Sequence, residues 1–314
     1  MNYAALSTEK ANKRSRELDR LSPFQIVQLM NWEDRQVLRA ISRSKSSVAR
    51  AIRLIVDALR QGGRLLFVGA GTSGRLGVLE AAECPPTFGT PPALIQAVMA
   101  GGKSAVFRSK EGAEDSEQEA VSAIRKLAVR RRDIVVGIAA SGVTPFVRAA
   151  LRAARARKAE TILLTCNPKP SPGLARVVIA LRTGPEVLAG STRLKAGTAC
   201  KMVLNILTTA SMVRIGKVYG NRMVDLEPKS RKLVARGIRL IRDLGHAGEN
   251  EARQLFQKAR GHVKTAIVMA RKKVSYHKAV QELNEAKGFL RRVLPSRNAS
   301  MRDGHRSLKN RRRR

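Results

Sequence analysis

The chain has 314 residues, 43% of them hydrophobic, which is enough to bury one large core with a satellite or two modest domains and excludes a disordered protein. No run approaches the ~20 consecutive apolar residues of a membrane span, and the opening MNYAALSTEKANKRSRELD has no apolar stretch behind a basic end, so neither membrane insertion nor secretion is expected. A formal charge of +37, from 61 Lys+Arg against 24 Asp+Glu, suits polyanions, but the basic residues are spread over almost every predicted helix, aromatics are only 4%, and no base-reading module is present.

Residues 1–46 read as a polar lead-in and a helical arm, with Ser22-Pro23 as a start signal. From Ser46 or Ser47, Val48, Ile52, Ile55, Val56 and Leu59 recur at helical spacing, and Gly62-Gly63 stops the helix. Short apolar runs follow at 64–68, 94–99, 133–139, 161–165 and 177–181, with helical segments such as 116–128 and 144–158 between most of them. Strands alternating with helices define an α/β fold, a doubly wound, mostly parallel sheet, and ligands of such sheets bind at the carboxyl ends of the strands. This domain is expected over 47–225. A long apolar helix runs from about 196 to 215, and 226–294 carries only helical periodicity, a small C-terminal all-α appendage. The remainder, 295–314, ends in a basic run and reads as a disordered tail, the place with the basic surface for any nonspecific nucleic-acid binding.

Three strand-to-helix loops are rich in small and hydroxyl residues. The first, Gly69-Ala70-Gly71-Thr72-Ser73-Gly74-Arg75, lets backbone N–H groups approach an anion, with Thr72 and Ser73 as added donors. Its glycine spacing also fits a dinucleotide fingerprint or a plain tight turn, but no acidic residue closes the second strand and no Gly-Lys-Ser/Thr follows. Ser141 and Thr144 form a second such loop, and Ser191 and Thr192 a third. Three loops together can converge on one phosphosugar; singly each would be a helix cap. Two glutamates stand near them. Glu83 lies among small and apolar neighbours in Ala81-Ala82-Glu83-Cys84-Pro85, where desolvation would favour its protonated form if it faces the pocket. Glu114 precedes a helix whose dipole favours its ionised form, against Glu111 and Asp115. One carboxyl as acid and one as base is what proton-transfer chemistry requires.

Cys84, Cys166 and Cys200 are odd in number and unpaired in spacing, which fits a reducing cytoplasm, and Cys84 reads as a packed side chain rather than a nucleophile. The four histidines have no ligand spacing, so no metal site is expected.

GAGTSGRLGVLEAAECPPTFG, then AGG, KEGAEDS, VVGIAASGVTPFV, CNP, GSTRLKAGTACKMVLN and GKVYGNRMVDL, resembles the N-acetylmuramic acid 6-phosphate etherases, over about nine-tenths of the chain. The resemblance implies a sugar-isomerase-type phosphosugar-binding fold, a cytoplasmic homodimer acting in cell-wall recycling, and cleavage of the D-lactyl ether at C3 of the sugar to give N-acetylglucosamine 6-phosphate. It implies Glu83 as general acid, Glu114 as general base, and Thr72, Ser73, Ser141, Thr144, Ser191 and Thr192 as holders of phosphate and hydroxyls. Glu9 and Asn12 would complete a neighbour's pocket, and no cofactor is implied. The sequence departs from the family pattern at Val143, where arginine is expected, and at Lys229-Ser230, where Thr-Asn is expected. The alternative is a non-catalytic sugar-phosphate-binding regulator on the same fold, which would need neither glutamate.

Overall fold

The computed structural model describes residues 6–167 and 173–294, so the basic tail at 295–314 lies outside the described residues. Its contacts divide the chain into two units, one of residues 1–84 and 90–211, the other of 85–89 and 212–314.

In the first unit, Ser22 opens α1 (Pro23–Arg43) with a capping box: its hydroxyl accepts from the Gln25 N–H while the Gln25 side chain accepts from the Ser22 N–H. The second helix, α2 (Lys45–Arg60), begins a residue or two before the expected serines, with Ser44 at its N-cap. The Ser44 hydroxyl is used elsewhere, donating to the carbonyls of Ala40 and Ala180. The segment expected as a separate arm therefore belongs to this unit: besides Ser44, Asn12 and Ser15 are buried in it and bond to the carbonyls of Pro185 and Val187.

Five strands follow: β1 (Leu65–Gly69), β2 (Ile95–Met99), β3 (Ile134–Ile138), β4 (Glu160–Thr165) and β5 (Val177–Ala180). They form one parallel sheet in the order β2-β1-β3-β4-β5, with Leu65 level with Ile95 on one side and Ile134 on the other. β1 and β3 are buried at every position, as their unbroken apolar runs require of strands covered on both faces. One face packs Leu66, Val68, Val135 and Leu163 against α5 (Glu117–Lys126) and α6 (Pro145–Ala156), through Ile124, Phe146, Val147 and Leu151. The opposite face meets α2, and α3 (Gly71–Phe88) comes so close that a Cβ at Gly77 would stand 3.0 Å from Phe67 Cβ. A short α4 (Ser104–Phe107) lies between β2 and α5, and α7 (Lys195–Arg214) follows β5.

The second unit contains α8 (Arg231–Gly245), α9 (Glu249–Lys258), α10 (Val263–Lys272), α11 (Tyr276–Glu285) and α12 (Leu290–Val293). α10 is its centre, buried continuously from Val263 to Ala270. Val224 and Leu226 join the same core, which is why this unit takes in residues before the expected boundary at 226. Ser230 is the N-cap of α8, its hydroxyl accepting from the Leu233 N–H, so the departure at this position retains a capping residue. Among the described residues no helix is long and apolar enough to cross a membrane.

Candidate functional site

The strand order reverses direction between β1 and β3: the chain leaves β1 for β2 on one side and returns to β3 on the other. Loops leaving such a pair splay apart and open a crevice at the carboxyl end of the sheet. A cleft of about 410 Å³ occupies this place. Its lining joins Ala70 to Ser73 after β1 with Ala140, Ser141, Val143, Thr144 and Pro145 after β3, and adds Gly190, Thr192, Glu9, Glu114 and Asp115.

The first loop turns directly into α3, which starts at Gly71. Gly74 donates its N–H to the Ala70 carbonyl at 3.1 Å and touches the strand end so closely that a Cβ there would stand 2.7 Å from the Gly69 oxygen. Because the obstacle is backbone, Gly74→Ala is expected to cost about 1–3 kcal/mol as overpacking and to push the helix start out of the cleft. A lowered denaturation midpoint together with a raised KM for the substrate checks this. In the second loop Gly142 takes φ +75°, and the Ser141 hydroxyl accepts from the Val143 N–H at 3.3 Å. Thr144 is the N-cap of α6, yet its side chain makes no capping bond and faces the cleft. The helix starts of α3 and α6 thus both open on the cleft, and Thr192 lies just before α7, so N-terminal dipole ends favour an anion there. Among the described lining residues there is no lysine or arginine.

The expected site residues divide into two groups. Thr72, Ser73, Ser141, Thr144, Thr192, Glu9 and Glu114 share the one cleft. Glu9 lies in the cleft of its own chain, where its carboxylate accepts from the Thr8 hydroxyl at 3.0 Å. Ser191, partly buried, is not on the cleft wall. Asn12 is buried and engaged within its own chain: its amide donates to Glu33 at 2.8 Å and its side-chain oxygen accepts from the Arg14 N–H. Both of its amide hydrogens and one acceptor site of its side-chain oxygen are thus used within its own chain. Glu83, expected to face the pocket, is exposed in the single chain instead. It follows Gly71 by twelve residues of one helix, about 18 Å at 1.5 Å per residue, and is absent from the cleft wall. Glu114 sits in a 3-10 turn, Ala113–Asp115, ahead of α5, with Ser116 as the helix cap.

Behind the cleft stands a polar network that the sequence reading missed. Lys195, the first residue of α7, is buried and pairs with the buried Glu33, which also holds Asn12. Glu186 accepts the backbone N–H groups of Lys195 and Ala196 at 3.0 and 2.8 Å. Burial pushes the Glu186 carboxyl up, while those two N–H bonds and Lys195 pull it down. Glu33 carried a signal: Glu33, Val37, Ala40 and Ser44 are all buried at spacings of four, three and four, placing the glutamate on the inward stripe of α1.

All three cysteines are free and buried. Burial, and then the nearby Glu80 and Glu83, push the Cys84 thiol up to about 12, the reverse of what a nucleophile needs. Among the described residues no three His, Cys, Asp or Glu side chains are grouped to hold a metal ion.

Sequence comparison fits this architecture. The SIS domain profile matches residues 116–210, and that of the glucokinase regulatory protein N-terminal SIS domain matches 47–155. The sheet with its switch-point cleft is thus an α/β domain of the SIS class. The N-acetylmuramic acid 6-phosphate etherase of Geobacillus thermodenitrificans is 47% identical over 92% of this chain and 98% of its own. Those of Gloeothece citriformis and Rhodopirellula baltica are 50% and 48% identical, covering 93% and 92% of this chain and 95% and 96% of theirs. The chain belongs to the N-acetylmuramic acid 6-phosphate etherase family. Among solved structures, a phosphoheptose isomerase from Francisella tularensis aligns over 60% of this chain and 98% of its own at 17% identity and a TM-score of 0.46.

Proposed function

We propose that the chain is a carbon–oxygen lyase that cleaves the D-lactyl ether of N-acetylmuramic acid 6-phosphate, giving N-acetylglucosamine 6-phosphate and D-lactate for cell-wall recycling. The observation that carries this reading is the position of Glu114, a carboxylate on the wall of a cleft whose other wall is formed by hydroxyls and helix N-termini. A phosphoryl group held by Thr72, Ser73, Ser141, Thr144 and Thr192 sets the sugar across the cleft, with Glu9 beside its hydroxyls. In the ring-opened sugar the aldehyde acidifies the C2 proton, which Glu114 removes. The electron pair left at C2 expels the lactyl oxygen from C3, and the acid that protonates the oxygen as it departs is, by the family resemblance, Glu83, which lies off the cleft wall of the single chain. Water then adds at C3 of the unsaturated aldehyde, so that substrate and one water balance the two products. Each carboxyl is used once as donor or acceptor, the pattern of general acid–base catalysis.

Val143 stands on the cleft wall where the family pattern has arginine, so the phosphosugar meets an apolar side chain there in place of a cation. This bears on affinity and leaves the two carboxyls untouched. Incubating the purified protein with N-acetylmuramic acid 6-phosphate and assaying D-lactate tests the reading. Lactate released in step with N-acetylglucosamine 6-phosphate is the expected result, and tight binding of the phosphosugar with no lactate would make the protein a sensor instead.

A further inference from the structure

A second cavity adjoins the cleft with the hydroxyl-rich wall. It has a volume of about 160 Å³ and lies beyond the end of β2, lined by residues from the start of α3, from α4 and from the turn that carries Glu114. The two cavities share Ala70, Gly71 and Glu114 in their walls, so the proposed base stands where they meet. They differ in charge. The cleft wall has no lysine or arginine among the described residues, whereas the second cavity is lined by Arg75 and Lys110.

Neither cation is spent on an acid among the described residues. Arg75, half-buried near the start of α3, donates from Nε to the Val106 carbonyl and from Nη2 to the Ala105 carbonyl, both at 2.8 Å. Those two bonds use one edge of the guanidinium and fix its plane against α4, and Nη1 has no partner among the described residues. A guanidinium held in this way keeps its other edge for the two oxygens of a carboxylate. Lys110 lays its stem over Gly101, where a Cβ would stand 2.9 Å from the lysine Cδ, and its ammonium makes no ion pair or hydrogen bond among the described residues. Glu111, on the same wall, accepts from the Ser109 hydroxyl at 3.4 Å and pairs with neither cation.

The substrate of the proposed reaction is anionic at both ends, with a phosphoryl group at C6 and a carboxylate on the lactyl group at C3. The base acts at C2, next to C3, so the lactyl group leaves the sugar close to Glu114 while the phosphoryl group lies at the far end of the carbon chain. With the phosphoryl group among the hydroxyls of the cleft, the cavity on the other side of Glu114 is the space left for the lactyl group. We infer that this cavity is a lactyl subsite, in which Arg75 and Lys110 hold the carboxylate of the leaving group. This rests on the lyase reading and deepens it. The subsite selects a sugar phosphate that carries an acid at C3, and it releases the product sugar, which has only a hydroxyl there.

Two substrates that differ only in that charge test the assignment: N-acetylmuramic acid 6-phosphate and its lactyl carboxamide, which has nearly the same shape. Wild-type protein is expected to favour the acid in kcat/KM by about 10- to 100-fold, the range for hydrogen bonds to a charged group. Lys110→Met, a change at an exposed residue, should shrink that ratio severalfold, the loss falling on the acid and far less on the amide. An intrinsic difference in reactivity between the two substrates would survive the substitution; a contribution of the subsite would not. Arg75→Lys, which keeps the charge and loses the fork, should shrink the ratio as well. Wild-type protein that turns over acid and amide alike would overturn the inference, as would variants that slow both by the same factor. Release of neither lactate nor lactamide by the wild type would instead bring down the lyase reading. Calorimetric binding of the two compounds then decides the subsite by itself: tighter binding of the acid, lost in Lys110→Met, upholds it, and equal binding overturns it.

Discussion

Replacing Glu114 by glutamine is expected to lower lactate release by about 100- to 10,000-fold, the range for removing a positioned general base. The change is nearly isosteric at an exposed residue of a 3-10 turn, so the fold and the phosphate-holding loops should persist. The loss should fall on kcat, with KM little altered, because the carboxylate acts on the C2 proton in the transition state and not on the phosphoryl group. Running the reaction in deuterium oxide provides a second readout. Wild-type protein should place deuterium at C2 of the product, and substrate recovered from the Glu114→Gln variant should retain its original C2 hydrogen. Unchanged turnover would remove Glu114 from the chemistry.

The largest stability effect is expected at Lys195. Its ammonium is buried against Glu33, and its place at the start of α7 is the end of a helix where the dipole disfavours a cation. Lys195→Met removes the buried positive partner and leaves the buried Glu33 carboxylate with Asn12 and, at 4.0 Å, the exposed Arg14 guanidinium, which should cost about 3 kcal/mol. Removing both charges in a Glu33→Met/Lys195→Met chain should recover much of that loss, since a buried pair replaced by apolar groups is often near neutral. Urea denaturation of the two variants checks the difference. Function should not recover in parallel. The network ties residues 6–15 and Glu33 to the segment from Pro185 to Lys195: Asn12 to the Pro185 carbonyl, Ser15 to that of Val187, Gly190 N–H to that of Thr8. That segment supplies Gly190 and Thr192 to the cleft wall, so the double variant is expected to fold well yet bind substrate more weakly.

The sheet was legible because its strands are apolar without interruption and the loops between them carry their own start and stop signals. Ser22-Pro23 states the start of α1 in two residues, and Gln25 completes the box. The convergence of Thr72, Ser73, Ser141, Thr144 and Thr192 was also open to inference, since loops at the carboxyl ends of adjacent parallel strands have no other place to meet. What lay beyond the sequence was pairing across distance. Asn12 has the residue type of a ligand contact and donates to Glu33, a partner twenty-one residues away on another element. The separation of Glu83 from Glu114 is different in kind. Helix rise fixes Glu83 far from the turn that begins α3, so its distance from the cleft was implicit in the same residues that suggested the two carboxyls act together.

The absence of lysine and arginine among the described cleft-lining residues has a consequence in a chain of charge +37. An anion gripped by ammonium groups is released or retained according to ionic strength, because dissolved ions compete for both members of the pair. An anion cradled by hydroxyls and amide hydrogens touches no ammonium or guanidinium on that wall, so dissolved ions act only on the partial charges of the helix ends and on the field of the whole chain. Occupancy of this cleft should therefore fall less between dilute buffer and physiological salt than adhesion of polyanions to the outer surface of the same molecule.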